Sequence, residues 1–305
     1  MTAPLLEIQD LSVEYVTEAR TVRAVDRVSF SIAEREVFGL AGESGCGKST
    51  IANAILRLLR DPAVISGGSV RFAGTDVLAL DAEQLREFRW RQVAMVFQSA
   101  MNSLNPVMTV GDQIVDIFTT HDGVSKKTAL ARAGDLLDLV GIPRDRLRSY
   151  PHQLSGGMRQ RVVIAMATAL RPPLLIMDEP TTALDVVVQQ EIMAQIKDLQ
   201  RELGFAILFI THDMSLMVEL SDRMAVMYAG RFVETARSGE IFDTPEHPYT
   251  RALMNAFPPM SGPRRRLQGL GEGVRFRQIP DLEQVGPTHW VAPSDDDSLI
   301  TEAIS

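Results

Sequence analysis

The sequence predicts an α/β protein with a parallel-sheet core, an antiparallel β layer, a helical subdomain and a C-terminal extension. Three observations carry that reading. Short, fully apolar runs recur at Val37–Gly42, Val93–Phe97, Leu174–Met177 and Ala206–Ile210; a strand that is apolar on both faces is one covered on both sides, as parallel strands are. Apolar residues at helical spacing lie between these runs, and alternation of strand and helix builds an α/β core. Near the N-terminus the pattern changes to alternation of period two, which marks half-buried strands and hence an antiparallel layer.

Element by element, residues 5–15 alternate around Leu6, Ile8 and Val13, with Asp10–Ser12 breaking the run, and Val25–Ile32 alternates again. Val37–Gly42 is the first buried strand, followed by a helical stripe of Ile51, Ile55, Leu58 and Leu59. After the strand Val93–Phe97 comes a stripe of Leu130, Ala133, Leu137 and Val140, closed by Gly141 as a C′ residue. A helix is expected over Arg159–Leu170, opening after two glycines. The strand Leu174–Met177 leads to a long stripe of Val188, Ile192, Ile196, Leu199 and Leu203 that stops at Gly204. Ala206–Ile210 is a further strand, and Met224–Tyr228 with Arg231–Glu234 reads as a hairpin around Ala229-Gly230. The helical segment near 100–170 interrupts the strand pattern as a subdomain. Beyond Pro258 the chain is rich in Pro, Gly and charge and ends with an acidic Asp295–Asp297 tail.

Composition narrows the function classes. A chain of 305 residues can bury a core without disulfides or structural metal, and its single cysteine excludes both a disulfide framework and a multi-cysteine zinc site. The formal net charge of -8 argues against nucleic-acid or lipid-surface binding through bulk charge. The longest apolar stretch, Val162–Leu170, is well short of the roughly 18–20 residues of a spanning helix. The opening MTAPLLEIQD lacks the basic region and apolar block of a signal peptide, so a cytoplasmic location is expected. Histidines 121, 152, 247 and 289 show no metal-ligand spacing.

Gly42-Glu43-Ser44-Gly45-Cys46-Gly47-Lys48-Ser49 matches G-x-x-x-x-G-K-[ST] between a predicted strand and a predicted helix, the setting that motif requires. Glycines let the backbone turn its N–H groups inward onto phosphate oxygens, and the helix N-terminus adds a favourable partial charge. Lys48 would contact the β- and γ-phosphates, Ser49 would place its hydroxyl on Mg²⁺, and Thr50 would assist. Cys46 occupies a variable position of this loop. Leu174–Met177 is followed by Asp178-Glu179 at the strand's C-terminal end, where ligands of α/β sheets collect. Asp178 would hold Mg²⁺, leaving Glu179 to polarise the attacking water. Leu154-Ser155-Gly156-Gly157-Met158-Arg159-Gln160 opens a helix, with Ser155 as N-cap and two glycines exposing N–H groups, a second phosphate-binding surface on one chain. Two such surfaces, one of them without lysine or carboxylate, suggest two chains facing each other across shared nucleotides.

At these residues the chain resembles the ATP-binding-cassette ATPases, from about Leu5 to at least Tyr249. The resemblance implies the nucleotide-binding domain fold of that family over 1–240, with its signature in the helical subdomain. It further implies that Gln98 is the Q-loop residue near Mg²⁺, that Asp185 after Ala183-Leu184 is the D-loop residue, that His212 in Thr211-His212-Asp213 is the switch histidine, and that Tyr15 stacks on adenine. Met158 after the glycines departs from the commonest signature and leaves the Ser and Gly contacts intact.

Gly42 through Thr50, Phe97-Gln98 through Leu104-Asn105-Pro106, and Pro245-Glu246-His247-Pro248-Tyr249-Thr250-Arg251-Ala252-Leu253 resemble the dipeptide/oligopeptide/nickel importer subfamily, whose C-terminal extension would occupy 241–305. Many members carry cysteines there, which bind an iron–sulfur cluster in some; this chain has only Cys46, so no cluster is expected. The resemblance implies ATP and Mg²⁺ as ligands, a second ATPase subunit in a head-to-tail dimer, two transmembrane permeases, an extracellular solute-binding protein, and a peripheral place at the cytoplasmic face of the inner membrane, with no nucleic-acid partner. Peptides are the leading solute; oligosaccharides or nickel chelates, and a soluble ATPase without a transport role, are the alternatives. The Arg264–Arg266 run reads as a solvated basic patch.

Overall fold

The computed structural model describes residues 3–98, 103–182, 184–255, 274–276, 279–294 and 299–301. The chain forms two units, one of Met1–Ala79 with Leu208–Ser305 and one of Leu80–Ile207.

The first unit opens with β1 (Leu6–Val16) and β2 (Thr21–Ile32), which pair antiparallel. The interruption at Asp10–Ser12 does not end β1. Asp10 has φ of 47°, and the pairing with β2 slips by one residue between Ile8 and Leu11. This β-bulge resets the alternation, so Leu6 and Ile8 before it and Leu11 and Val13 after it all point into the core, each at most 1% exposed. β3 (Val37–Ala41) leads through a glycine-rich loop to α1 (Lys48–Ile55). α1 ends sooner than its stripe predicts: Leu56 is the C-cap, and Leu58 and Leu59 lie beyond it. β4 (Ala63–Phe72) and β5 (Thr75–Asp76) complete an antiparallel sheet of order β2-β1-β4-β5. The Ser66-Gly67-Gly68-Ser69 segment hides β4 from a hydropathy reading.

The second unit begins with α2 (Ala82–Arg91), started by Asp81, whose carboxylate accepts the N–H groups of Glu83 and Gln84. β6 (Val93–Val96) follows, then α3 (Val110–Asp122) and α4 (Lys126–Leu139), capped by Thr109 and Ser125. Arg132 joins these two helices, lying 4.0 Å over the Phe118 ring and 2.6 Å from the Asp122 carboxylate. Gly141 takes φ of 66°, as expected of a residue that ends a helix. α5 (Gly156–Thr168) starts at the two glycines rather than after them, because the Ser155 hydroxyl accepts the Met158 N–H and puts both glycines in the first turn. β7 (Leu174–Asp178) is buried throughout and lies parallel to β6, Val93 opposite Leu174 through Val96 opposite Met177. α6 (Val186–Leu203) ends at Gly204 with φ of 74°. β8 (Ala206–Ile210) runs across the division between the units.

The first unit resumes with α7 (Met214–Leu220), β9 (Arg223–Tyr228) and β10 (Arg231–Arg237). Ala229 and Gly230, with φ of 44° and 87°, form the tight turn of the expected hairpin. β9 lies parallel to β3, Phe38 opposite Arg223 through Ala41 opposite Val226. α8 (Ser238–Asp243) and α9 (Pro248–Asn255) follow, then β11 (Val274–Phe276), β12 (Glu283–Gln284), β13 (Trp290–Val291) and β14 (Leu299–Thr301). β13 returns to the sheet and pairs antiparallel with β10, order β12-β13-β10-β9-β3, so part of the extension is built into the first unit. Phe30 of β2 stacks on Phe38 of β3 at 5.0 Å and meets Phe232 of β10 at 5.8 Å, which locks the antiparallel layer to this sheet. The Arg264–Arg266 run, the Asp295–Asp297 tail and Ala183 lie outside the described residues. Among the described residues no helix is long and apolar enough to cross a membrane.

Candidate functional site

In the first unit, the loop from Gly42 to Gly47 joins the C-terminal end of β3 to the first turn of α1. Its shape needs glycine at both ends. Gly42 and Gly47 have φ of 146° and 113°, and a Cβ on either would lie 2.2 Å from a backbone oxygen, that of Met227 or of Ala24. The Gly230 N–H donates to the Cys46 carbonyl at 3.0 Å, so the hairpin turn also holds the loop. Lys48, only 5% exposed, donates from Nζ to the carbonyls of Gly42 (2.7 Å) and Glu43 (2.8 Å), and Nζ lies 3.5 Å from Cys46 Sγ. The ammonium is therefore centred over the loop. Gly47 offers α1 no side-chain cap, and the first turn of α1 has no acidic residue. Its leading N–H groups and partial positive charge are left without a competing side chain, which fits a phosphate ligand. A Cβ on Gly45 would meet open space. Burial pushes the Cys46 thiol up against the opposing pull of Lys48, so the sulfur stays protonated.

Tyr15 is half-buried near the end of β1, opposite Val22 and Ala63. Exposed His212 precedes α7, where Asp213 accepts the N–H groups of Ser215 (2.9 Å) and Leu216 (3.2 Å) and thereby fixes the turn that carries the imidazole.

In the second unit, parallel pairing of β6 and β7 puts Gln98 and the Asp178-Glu179 pair at the same, C-terminal, ends of neighbouring strands. Gln98 Nε2 donates to Glu179 Oε2 at 2.7 Å, and Thr182 Oγ1 donates to the same oxygen at 3.0 Å. Glu179 is buried and has φ of 47°, a left-handed conformation uncommon for a residue with a side chain. Such strain persists only where the surroundings hold it, and it clusters at functional sites. Asp178 is buried at the last position of β7. Ser155 caps α5, and a Cβ on Gly157 would come within 2.8 Å of Val188 Cγ1, so that glycine lets the two helices approach closely. Asp185 caps α6, accepting the Val188 N–H at 3.0 Å.

Of the expected site residues, Tyr15, Gly42–Thr50 and His212 belong to the first unit, and Gln98, Ser155, Gly156, Gly157, Asp178, Glu179 and Asp185 to the second. Three contacts went unread in the sequence. Thr182 holds Glu179, although a hydroxyl three residues beyond the acid pair was a visible signal. Gly230 anchors Cys46, and the Tyr249 hydroxyl accepts the Glu43 N–H at 3.1 Å; no local pattern announces either.

Residues 25–182 match the family described as ABC transporter. The chain belongs to the ABC transporter family. Residues 233–281 match the oligopeptide/dipeptide transporter C-terminal region. The dipeptide transport ATP-binding protein DppD of Haemophilus influenzae is 47% identical over 88% of this chain and 82% of its own length. The oligopeptide transport ATP-binding protein OppD of Bacillus subtilis is 45% identical over 84% of this chain and 72% of its own. Among solved structures, the dimeric post-hydrolysis state of the ATP-binding cassette MJ0796 bound to ADP and Pi superposes with a TM-score of 0.68 at 28% identity, over 76% of this chain and 98% of that one. The fold is thus that of an ABC ATPase cassette, and the chain is an ATP-binding, ATP-hydrolysing transporter subunit.

Proposed function

We propose that this ABC ATPase powers peptide import from the cytoplasmic face of the inner membrane, to which two permease subunits hold it. The observation that carries the chemistry is Glu179, a buried carboxylate just after β7 with one oxygen held by both Gln98 and Thr182. A carboxylate held in this way is oriented to accept a proton from water. ATP phosphates take the N–H groups of the Gly42–Ser49 loop and the Lys48 ammonium, and Tyr15 supports the adenine. Ser49, Gln98 and Asp178 offer hydroxyl, amide and carboxylate oxygens, the hard donor set that suits Mg²⁺. When bound, that ion offsets phosphate charge. His212 contributes at the γ-phosphate.

Ser155, Gly156, Gly157 and Asp185 serve the nucleotide of a second cassette in a head-to-tail dimer. Dimeric cassettes among the structural neighbours support this pairing. Names of relatives at 45–48% identity, for dipeptide, oligopeptide and peptide transport, support the solute, which an extracellular binding protein delivers.

The test is purification of the whole complex with its permeases and binding protein, followed by ATPase assays with candidate solutes. Stimulation by di- or oligopeptides is expected. Stimulation by oligosaccharides or nickel chelates instead would reassign the solute, and failure to co-purify with any membrane protein would remove the transport role.

A further inference from the structure

A side chain of the C-terminal region reaches the phosphate loop. Tyr249, at the start of α9, is 1% exposed, and its ring packs on Tyr228 of β9 at 4.7 Å. Its hydroxyl oxygen accepts the N–H of Glu43, a residue 206 positions earlier in the sequence and the second of the phosphate loop. Lys48 Nζ takes the carbonyls of Gly42 and Glu43. Glu43 is therefore held on both sides, its carbonyl by the loop lysine and its N–H by Tyr249.

Tyr249 is itself fixed by a buried polar chain. Its backbone N–H donates to His247 Nδ1 at 3.1 Å. The N–H groups of Glu246 (2.9 Å) and His247 (3.1 Å) donate to the Glu234 carboxylate, which is fully buried in β10. The same carboxylate meets His289 Nε2 at 2.7 Å, close to β13. Burial holds the His247 imidazole down to about 4, so at neutral pH Nδ1 remains an acceptor. Each link of the chain from β10 to the loop is buried or partly buried and hydrogen-bonded, which makes it stiff.

We propose that Tyr249 is a positioning residue for the phosphate loop, through which the C-terminal region sets the affinity of the cassette for ATP. This rests on the reading of Gly42–Ser49 as the ATP phosphate site. A loop that must aim several N–H groups at once binds more tightly when its backbone is already in place. The strut acts before the chemistry, so it belongs to binding rather than to turnover.

The experiment compares Tyr249→Phe with wild type in the assembled complex. The phenyl ring keeps the packing on Tyr228 and loses only the acceptor. Expected are a rise in the KM for ATP of about 5–10-fold, a matching loss of affinity for a fluorescent ATP analogue, and a kcat within about twofold of wild type. An unchanged KM, or a fall in kcat that accompanies a large loss of thermal stability, would overturn the proposal. Amide exchange at Glu43 gives a second check. The wild-type amide should be protected and Tyr249→Phe should release it; an unprotected wild-type amide would also overturn the proposal. Lys48→Ala separates this outcome from failure of the site reading: if that variant still binds ATP normally, the phosphate loop itself has been misassigned.

Discussion

Glu179 combines a demanding backbone with a side chain held at one oxygen. A φ of 47° costs a non-glycine residue roughly 1–2 kcal/mol, and the donors on Oε2 help to hold it there. Removing one donor should loosen the carboxylate without touching the phosphate loop. Thr182→Val is expected to lower kcat about tenfold with an unchanged KM for ATP, measured by steady-state hydrolysis; an unchanged kcat would make Thr182 a packing residue only. The acid pair itself was legible because an apolar strand ending in two carboxylates is a local pattern. The Thr182 hydroxyl is just as local, three residues on, but its contact depends on the left-handed turn at Glu179, which hydropathy does not record.

Elements were legible where burial leaves a period in the sequence. The strands β3, β6, β7 and β8 are continuous apolar runs, and α6 carries an unbroken stripe to a glycine stop. α2 went unread because Phe88 is its single buried residue, and β4 because Gly67 and Gly68 interrupt it. The glycine loop was legible as a turn between strand and helix, but the reason its end glycines cannot be replaced is tertiary. Gly47→Ala is expected to cost about 1–3 kcal/mol and to abolish ATP binding, since its Cβ would sit 2.2 Å from the Ala24 carbonyl oxygen. Calorimetric melting and nucleotide titration check it, and a variant with normal melting and binding would contradict the packing described. Asp185→Ala should cost about 1 kcal/mol through the lost cap of α6, visible as a lower Tm.

At the scale of the molecule, the C-terminal extension is the part the sequence described least well. Its His247 and His289 and the Glu234 of β10 are far apart in the chain and meet only once β10, α9 and β13 are assembled. The same burial makes stability depend on pH. His247 falls from an ordinary value of 6.5 to about 4, chiefly by burial, with Glu234 opposing the fall and Arg251 adding to it. Between these values the unfolded chain binds a proton that the folded chain refuses. The contribution of His247 is therefore complete above pH 6.5 and is lost as pH drops toward 4, by about 3 kcal/mol in all. His247→Gln should flatten the dependence of Tm on pH across that window; an equally steep variant would remove His247 as its source.

The proposed division of labour between two cassettes predicts an asymmetry in binding and turnover. On that proposal Ser155→Arg should depress hydrolysis while the isolated chain still binds ATP, because the altered surface would serve the other cassette's nucleotide. Loss of both together would indicate misfolding instead.

The central claim, that Glu179 polarises water at an ATP site which drives peptide import, is tested most directly by ATP turnover of the assembled complex with peptide-loaded binding protein, wild type against Glu179→Gln. The amide variant should bind ATP with wild-type affinity and hydrolyse it at least ~100-fold more slowly. Near-normal turnover in that variant would contradict the assignment.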